Sequence, residues 1–184
     1  SIMICASLTV LLALSNPTDL PTPVEQYSKH LLEHEDQTYH YRLLTPETSS
    51  DAYPLVVFLH GAGERGDDNT SQLKYLPTGF VQDAHLRNRA CFVLAMQCPP
   101  DDQWATFDTH NARPENPTKA MSALIETLHR VLATHPIDRS RIYLTGLSMG
   151  GYGSWDRAAR HPEPCFRRRR RPCRCPTRSS TTSG

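Results

Sequence analysis

The chain has 184 residues, enough for one domain with a substantial core and too few for two of ordinary size. Hydrophobic residues make up 38%, with scattered glycine and proline, a composition that excludes a fibrous or wholly disordered protein. The formal charge of +1 hides an asymmetry: residues 167–184 hold seven arginines and no acid, leaving thirteen basic against nineteen acidic side chains in an acidic body.

Residues 1–17 open with the apolar run "IMICASLTVLLAL", too short to span a bilayer and followed by small residues. It reads as the h-region of a secretory signal whose start is incomplete, which predicts an exported protein; a buried first element is the alternative. No transmembrane span is expected. Residues 18–37 form a polar lead-in. It contains "HLLEH", in which His30, Glu33 and His34 match the inverted zinc-protease signature. A metal site there needs one helix face and a third ligand, so the segment is read as a solvated helical turn, with no metal and no cofactor.

The partial domain is placed at residues 38–163. "TYHYRLLTP" (38–46) alternates and predicts a half-exposed strand, and "YPLVVFLHG" (53–61) a central strand buried on both faces. "TSQLKYLPTGFVQDAHLR" predicts a broken helix, and "ACFVLAMQCPP" (90–100) another buried strand. Its Cys91 and Cys98 would lie roughly 20 Å or more apart along an extended strand, which excludes a disulfide between them. In "TKAMSALIETLHRVLATHP" (118–136), Thr118 caps a helix with one apolar stripe, and Pro136 stops it. "RIYLTG" is the next strand and "GGYGSWDRAARHP" the next helix. This alternation predicts an α/β fold with a mostly parallel sheet and flanking helices. Beyond Pro164 the pattern stops. Residues 164–184 have neither period, and their charge and proline predict disorder.

Two motifs carry chemistry. "IYLTGLSMGGYG" holds Ser148 in Gly-x-Ser-x-Gly between a strand and a helix, where Gly146 and Gly150 permit a tight elbow. "FLHGAGERGDD" leaves a buried strand as His60-Gly61-Ala62-Gly63, a glycine turn able to aim a backbone amide at a developing oxyanion. The alternative for that second stretch is an ordinary turn followed by the solvated charges Glu64, Arg65, Asp67 and Asp68.

Together these stretches, with "FVLAMQCPP" and "ARHPE", resemble the α/β-hydrolase fold. More narrowly, they are similar to bacterial phospholipase/carboxylesterase-like enzymes and to predicted peptidases of prolyl-oligopeptidase type. The resemblance implies hydrolysis of a small-molecule carboxylic ester through an acyl-enzyme on Ser148, with a peptidase as alternative. It implies an oxyanion hole from the Met149 and Ala62 amides, a structural role for His60 and Gly61 in the oxyanion loop, and Trp104 as a pocket wall. It also implies an Asp and a His on later loops. After Ser148 the sequence supplies only Asp156, His161 and Glu163. His161, thirteen residues on, would lie nearly 20 Å along the helix, and a base must come within about 3 Å of the hydroxyl. The triad acid and base are therefore absent, and the chain is expected to be inactive or nearly so.

In this family an alanine-rich strand follows "ARHPE". Arginine codons read one base over encode alanine, so residues from about 164 onward are expected to be out of frame. The alternative is a genuine basic tail that binds nucleic acid or anionic lipid in a non-catalytic module. No nucleic-acid partner is otherwise expected.

Overall fold

A computed structural model describes residues 22–106 and 114–160. The proposed signal segment, His161, Glu163 and the arginine tail lie outside the described residues. A short helix α1 (Pro23–Gln26) leads into β1 (Ser28–His34) and β2 (Gln37–Leu44), then β3 (Tyr53–Leu59). Two 3-10 turns (Ala62–Glu64 and Ser71–Leu73) precede α2 (Leu76–Gln82), α3 (Ala84–Arg87) and β4 (Phe92–Met96). Helix α4 (Lys119–Thr134), strand β5 (Ile137–Gly146) and helix α5 (Met149–Arg160) complete the order.

The five strands form one sheet in the order β1-β2-β4-β3-β5. The expected parallel sheet is its β4-β3-β5 part, and β1 and β2 add antiparallel pairs that make it mixed. Every residue of β4 is buried because it packs on both faces. Phe92, Leu94 and Met96 join Leu55, Val57 and Leu59 beneath α4, while Val93 and Ala95 pack with Phe80, Val81 and Leu73 on the other side. Helix α4 starts where expected: the Thr118 hydroxyl accepts from the Met121 amide at 3.2 Å. Its apolar side buries Met121, Leu124, Leu128 and Val131. Cys91 and Cys98 are buried free thiols.

The "HLLEH" segment is the main correction. It is not a helical turn but strand β1, paired with β2 through a two-residue hairpin in which Glu35 (φ 47°) and Asp36 (φ 60°) both take left-handed angles. On a strand, His30 and Glu33 point to opposite faces. His30 stacks on Tyr41, His34 pairs with the Ser122 hydroxyl at 2.9 Å, and Glu33 accepts from Thr38 at 2.7 Å. The helix face that the zinc signature requires does not exist. Among the described residues no group of three or more His, Cys, Asp or Glu is placed to hold a metal, and no helix is long and apolar enough to cross a membrane.

Candidate active site

Parallel pairing brings the ends of three strands level. Leu59 pairs with Met96 on one side and with Gly146 on the other, so His60, Gln97 and Leu147 leave the sheet at one end. The chain turns from β5 into α5 through Leu147 and Ser148. Ser148 takes φ 51°, a left-handed angle that a side chain rarely adopts, and its residue surface is exposed. The Leu147 amide donates to the Leu59 carbonyl at 3.0 Å, which fixes the turn to the end of β3.

The flanking glycines are required by close approach. A Cβ on Gly150 would sit 1.9 Å from the Leu59 carbonyl oxygen, and one on Gly146 would sit 2.1 Å from the Gly150 oxygen. Helix α5 begins at Met149, so that residue's amide lies in the first turn, where helical amides lack intrahelical partners and the dipole is positive.

The loop of residues 60–63 comes up beside this turn. A Cβ on Gly61 would lie 3.7 Å from the Ser148 Cβ and 3.6 Å from the Leu147 oxygen. The loop then tightens into the 3-10 turn that starts at Ala62. His60 holds it from below. Its ring is fully buried, its Nε2 accepts from the Cys98 amide at 2.9 Å, and its Nδ1 lies 2.7 Å from the Gly61 carbonyl oxygen. Because Nε2 accepts, Nδ1 carries the hydrogen and donates. Burial chiefly pushes this imidazole below its ordinary range, with the Gly61 hydrogen bond and the Glu64 charge acting the other way. Both nitrogens are engaged with backbone, so His60 is a structural neutral histidine and not a base for Ser148.

Trp104 does not form a pocket wall. It is fully buried, its indole N–H donates to the His60 carbonyl at 3.0 Å, and its ring meets the His60 ring edge to face. A Cβ on Gly153 of α5 would come 2.3 Å from the Trp104 Cβ. Trp104 thus wedges between the 60–63 loop and α5, and its bulk is spent on their packing. Asp156 is also a packing residue: it is 2% exposed and pairs with Arg160 at 2.7 Å, while Arg160 also donates to the carbonyls of Pro114, Glu115 and Asn116.

The charged stretch after Gly63 is not uniformly solvated. Glu64 is 7% exposed, its carboxylate folded back toward Gly61. Gln97, 1% exposed, is the hub behind it: its amide donates to the Glu64 carbonyl at 3.2 Å and to Asp68 at 2.9 Å, and its oxygen accepts from the Asn69 amide at 2.7 Å. Burial works against the charge on Asp68. Hydrogen bonds from the Ser71 hydroxyl, the Ser71 and Thr70 amides and Gln97 outweigh it and hold that carboxyl far below the usual range. Arg42, also buried, donates to the Asn69 and Tyr27 carbonyls at 2.7 and 2.9 Å. The signal for this network was a glutamine flush with an apolar run in "FVLAMQC".

Beside the elbow, Leu144, Gly146, Gly151, Ser154, Trp155 and Ala158 line an open groove of about 330 Å³. A larger cavity of about 460 Å³ lies at the opposite end of β4, next to Cys91, and takes no part in this site.

A sequence profile of the family described as Phospholipase/Carboxylesterase matches residues 44–184. No curated protein matches the chain. Among solved structures, a thermostable esterase is similar at 39% identity and TM-score 0.69, over 77% of this chain and 40% of its own. A ferulic acid esterase shares the fold at 18% identity and TM-score 0.53, over 75% of this chain and 56% of that one. So does an S-formylglutathione hydrolase from Agrobacterium tumefaciens, at 18% and 0.51, over 75% and 53%. This chain therefore spans 40% of the thermostable esterase's length. Its parallel strands and flanking helices are those of the α/β-hydrolase fold, and the profile covers most of its length: the chain belongs to the phospholipase/carboxylesterase family.

Proposed function

We propose that the parent protein hydrolyses small-molecule carboxylic esters and that Ser148 is its acyl-accepting nucleophile. The observation that carries this reading is Ser148 itself, held at φ 51° on a strand-to-helix turn with the Gly61 loop against its Cβ. Strain of this kind persists where surrounding structure imposes it, and it clusters at active sites. Family membership and the 39% identical thermostable esterase support ester chemistry over other reactions of the fold.

In the proposed reaction, the Ser148 oxygen attacks the ester carbonyl carbon. Charge then builds on the carbonyl oxygen, where the amides of Met149 and Ala62 donate to it in a preorganised hole. Collapse expels the alcohol, and water later releases the acid. The hydroxyl proton needs an acceptor, and His60, with both nitrogens bonded to backbone, does not supply one. The chain as written is therefore expected to acylate slowly and to deacylate more slowly still.

The test is intact-protein mass spectrometry after incubation with p-nitrophenyl butyrate. A single acyl adduct on the chain, absent from Ser148→Ala, is expected. An adduct that survives the substitution, or none on either protein, overturns the assignment. Adding a peptide p-nitroanilide in parallel separates ester from amide preference.

A further inference from the structure

Glu64 is out of keeping with an ordinary surface loop. Its residue is only 7% exposed, no hydrogen bond from the described residues reaches its carboxylate, and the carboxylate oxygens keep a little contact with solvent. Buried carboxylates are normally paired or hydrogen-bonded, because stripping water from a charge is costly. Its backbone leaves no freedom to retreat: the Glu64 amide donates to the Gly61 carbonyl at 3.3 Å, and the Gln97 side chain clamps the Glu64 carbonyl. The side chain turns back toward Gly61. Its Oε2 lies 3.1 Å, and the Ser148 Cβ 3.7 Å, from the point a Gly61 Cβ would occupy, so the two atoms are no farther apart than those lengths end to end. A negative group thus sits beside the turn that carries the exposed serine.

A charge there has two consequences. It opposes negative charge building on a substrate oxygen nearby, which would only slow the reaction. It also attracts a positive group on the substrate, more strongly than a fully solvated carboxylate would. The opposing cation, Arg65, is exposed and turned to the Ala62 and Asp102 carbonyls. At the His60 ring the influence of Glu64 exceeds that of Arg65. Of the other acids in the loop, Asp67 is exposed, and Asp68 spends its oxygens on Ser71, Thr70 and Gln97. Glu64 is the acid left to face a ligand.

We propose that Glu64 is a specificity-determining residue of the Ser148 site, selecting esters that carry an ammonium or similar cationic group within a few bonds of the scissile carbonyl. The proposal rests on the reading of Ser148 as nucleophile. The span fits: one carbonyl carbon on the serine oxygen, one or two further bonds, and a contact between the cationic head and the carboxylate together cover about 7 Å.

The test uses two p-nitrophenyl phosphonates that differ only at the end of a short alkyl arm, trimethylammonium in one and tert-butyl in the other. Each phosphonylates a reactive serine: the hydroxyl proton passes to solvent, a P–O bond forms to Ser148, the aryl P–O bond breaks, and p-nitrophenolate is counted as it leaves. The intact chain is expected to prefer the cationic probe about tenfold at low salt, the scale for unit charges ~7 Å apart between near-surface and bulk dielectric. Glu64→Gln, an isosteric change, should bring the ratio close to one, and Glu64→Asp should keep part of it. A ratio near one in the unaltered chain overturns the proposal even if no variant folds, as does a preference that survives Glu64→Gln. If neither probe labels the chain above the Ser148→Ala background, the nucleophile assignment itself has failed, an outcome distinct from equal labelling by both.

Discussion

A Cβ is the smallest addition a protein can receive, and at Gly150 there is no room for it. The nearest neighbours are the carbonyl carbon and oxygen of Leu59, backbone atoms at the end of a central strand, and they cannot rotate aside. Gly150→Ala must move α5 away from β3 or twist the elbow, and overpacking of this kind costs about 3 kcal/mol or more where backbone is the obstacle. Gly63 gives the contrast, with nothing within 4 Å of its Cβ position. Gly63→Ala should leave stability unchanged or raise it by up to about 1 kcal/mol through the unfolded chain. Urea unfolding midpoints of the two variants check this, and equal losses would contradict the contact geometry. Gly146 and Gly150 were legible because Gly-x-Ser-x-Gly names its own stereochemistry. Glu64 was not, because its burial depends on a 3-10 turn folding it back over Gly61, and no periodicity marks one charged residue of four as the buried one.

Between elements, the critical joint is His60, which ties the end of β3 to the end of β4 through the Cys98 amide. Its imidazole is held below the ordinary 6.5, chiefly by burial. The sign follows from proton counting: as pH falls through about 6.5 the unfolded chain takes up a proton that the folded chain still refuses. Stability is therefore full above that pH and declines below it, by at most about 1.4 kcal/mol per pH unit for one proton. His30, displaced the same way mainly by burial, adds to the trend. Urea midpoints should fall between pH 7 and pH 5.5, and the His60 ring resonances should titrate below the ordinary imidazole range. A normal titration at 6.5 would mean that the joint is open to water. Element-level legibility followed signal strength. The capped, striped α4 was plain in the sequence, as was the unbroken apolar β4. Strand β1 was hidden because its hairpin turns on Glu35-Asp36, not on the glycine or asparagine that normally marks left-handed angles. Without that marker, "HLLEH" reads as a helical turn. Trp104 was misread for a different reason: an aromatic after a strand end fits a pocket wall or a core strut equally well, and Gly153 across the gap decides for the strut.

At the scale of the whole molecule, the two edges of the described sheet, β1 and β5, differ in character. The β1 edge carries Lys29, His30 and Glu33, charged or polar groups that discourage further pairing. The β5 edge has Tyr143 at 54% exposure among its outward residues, and Leu147, Tyr152 and Trp155 lie exposed on the turn and helix that follow. Strand β5 pairs with β3 and, among the described residues, with no other strand, leaving a row of backbone donors and acceptors beside an apolar surface. Such an edge templates pairing with another chain. The chain as written should therefore self-associate with rising concentration, and its Trp155 emission should shift to the blue as it does. A lysine in the middle of the edge works against pairing by bringing like charges together when two copies align, so Tyr143→Lys should lower the association constant by about tenfold or more. Sedimentation velocity across a concentration series reads both quantities. A monomer at every concentration, with Trp155 emission unchanged, would mean that the β5 edge is covered within the chain itself.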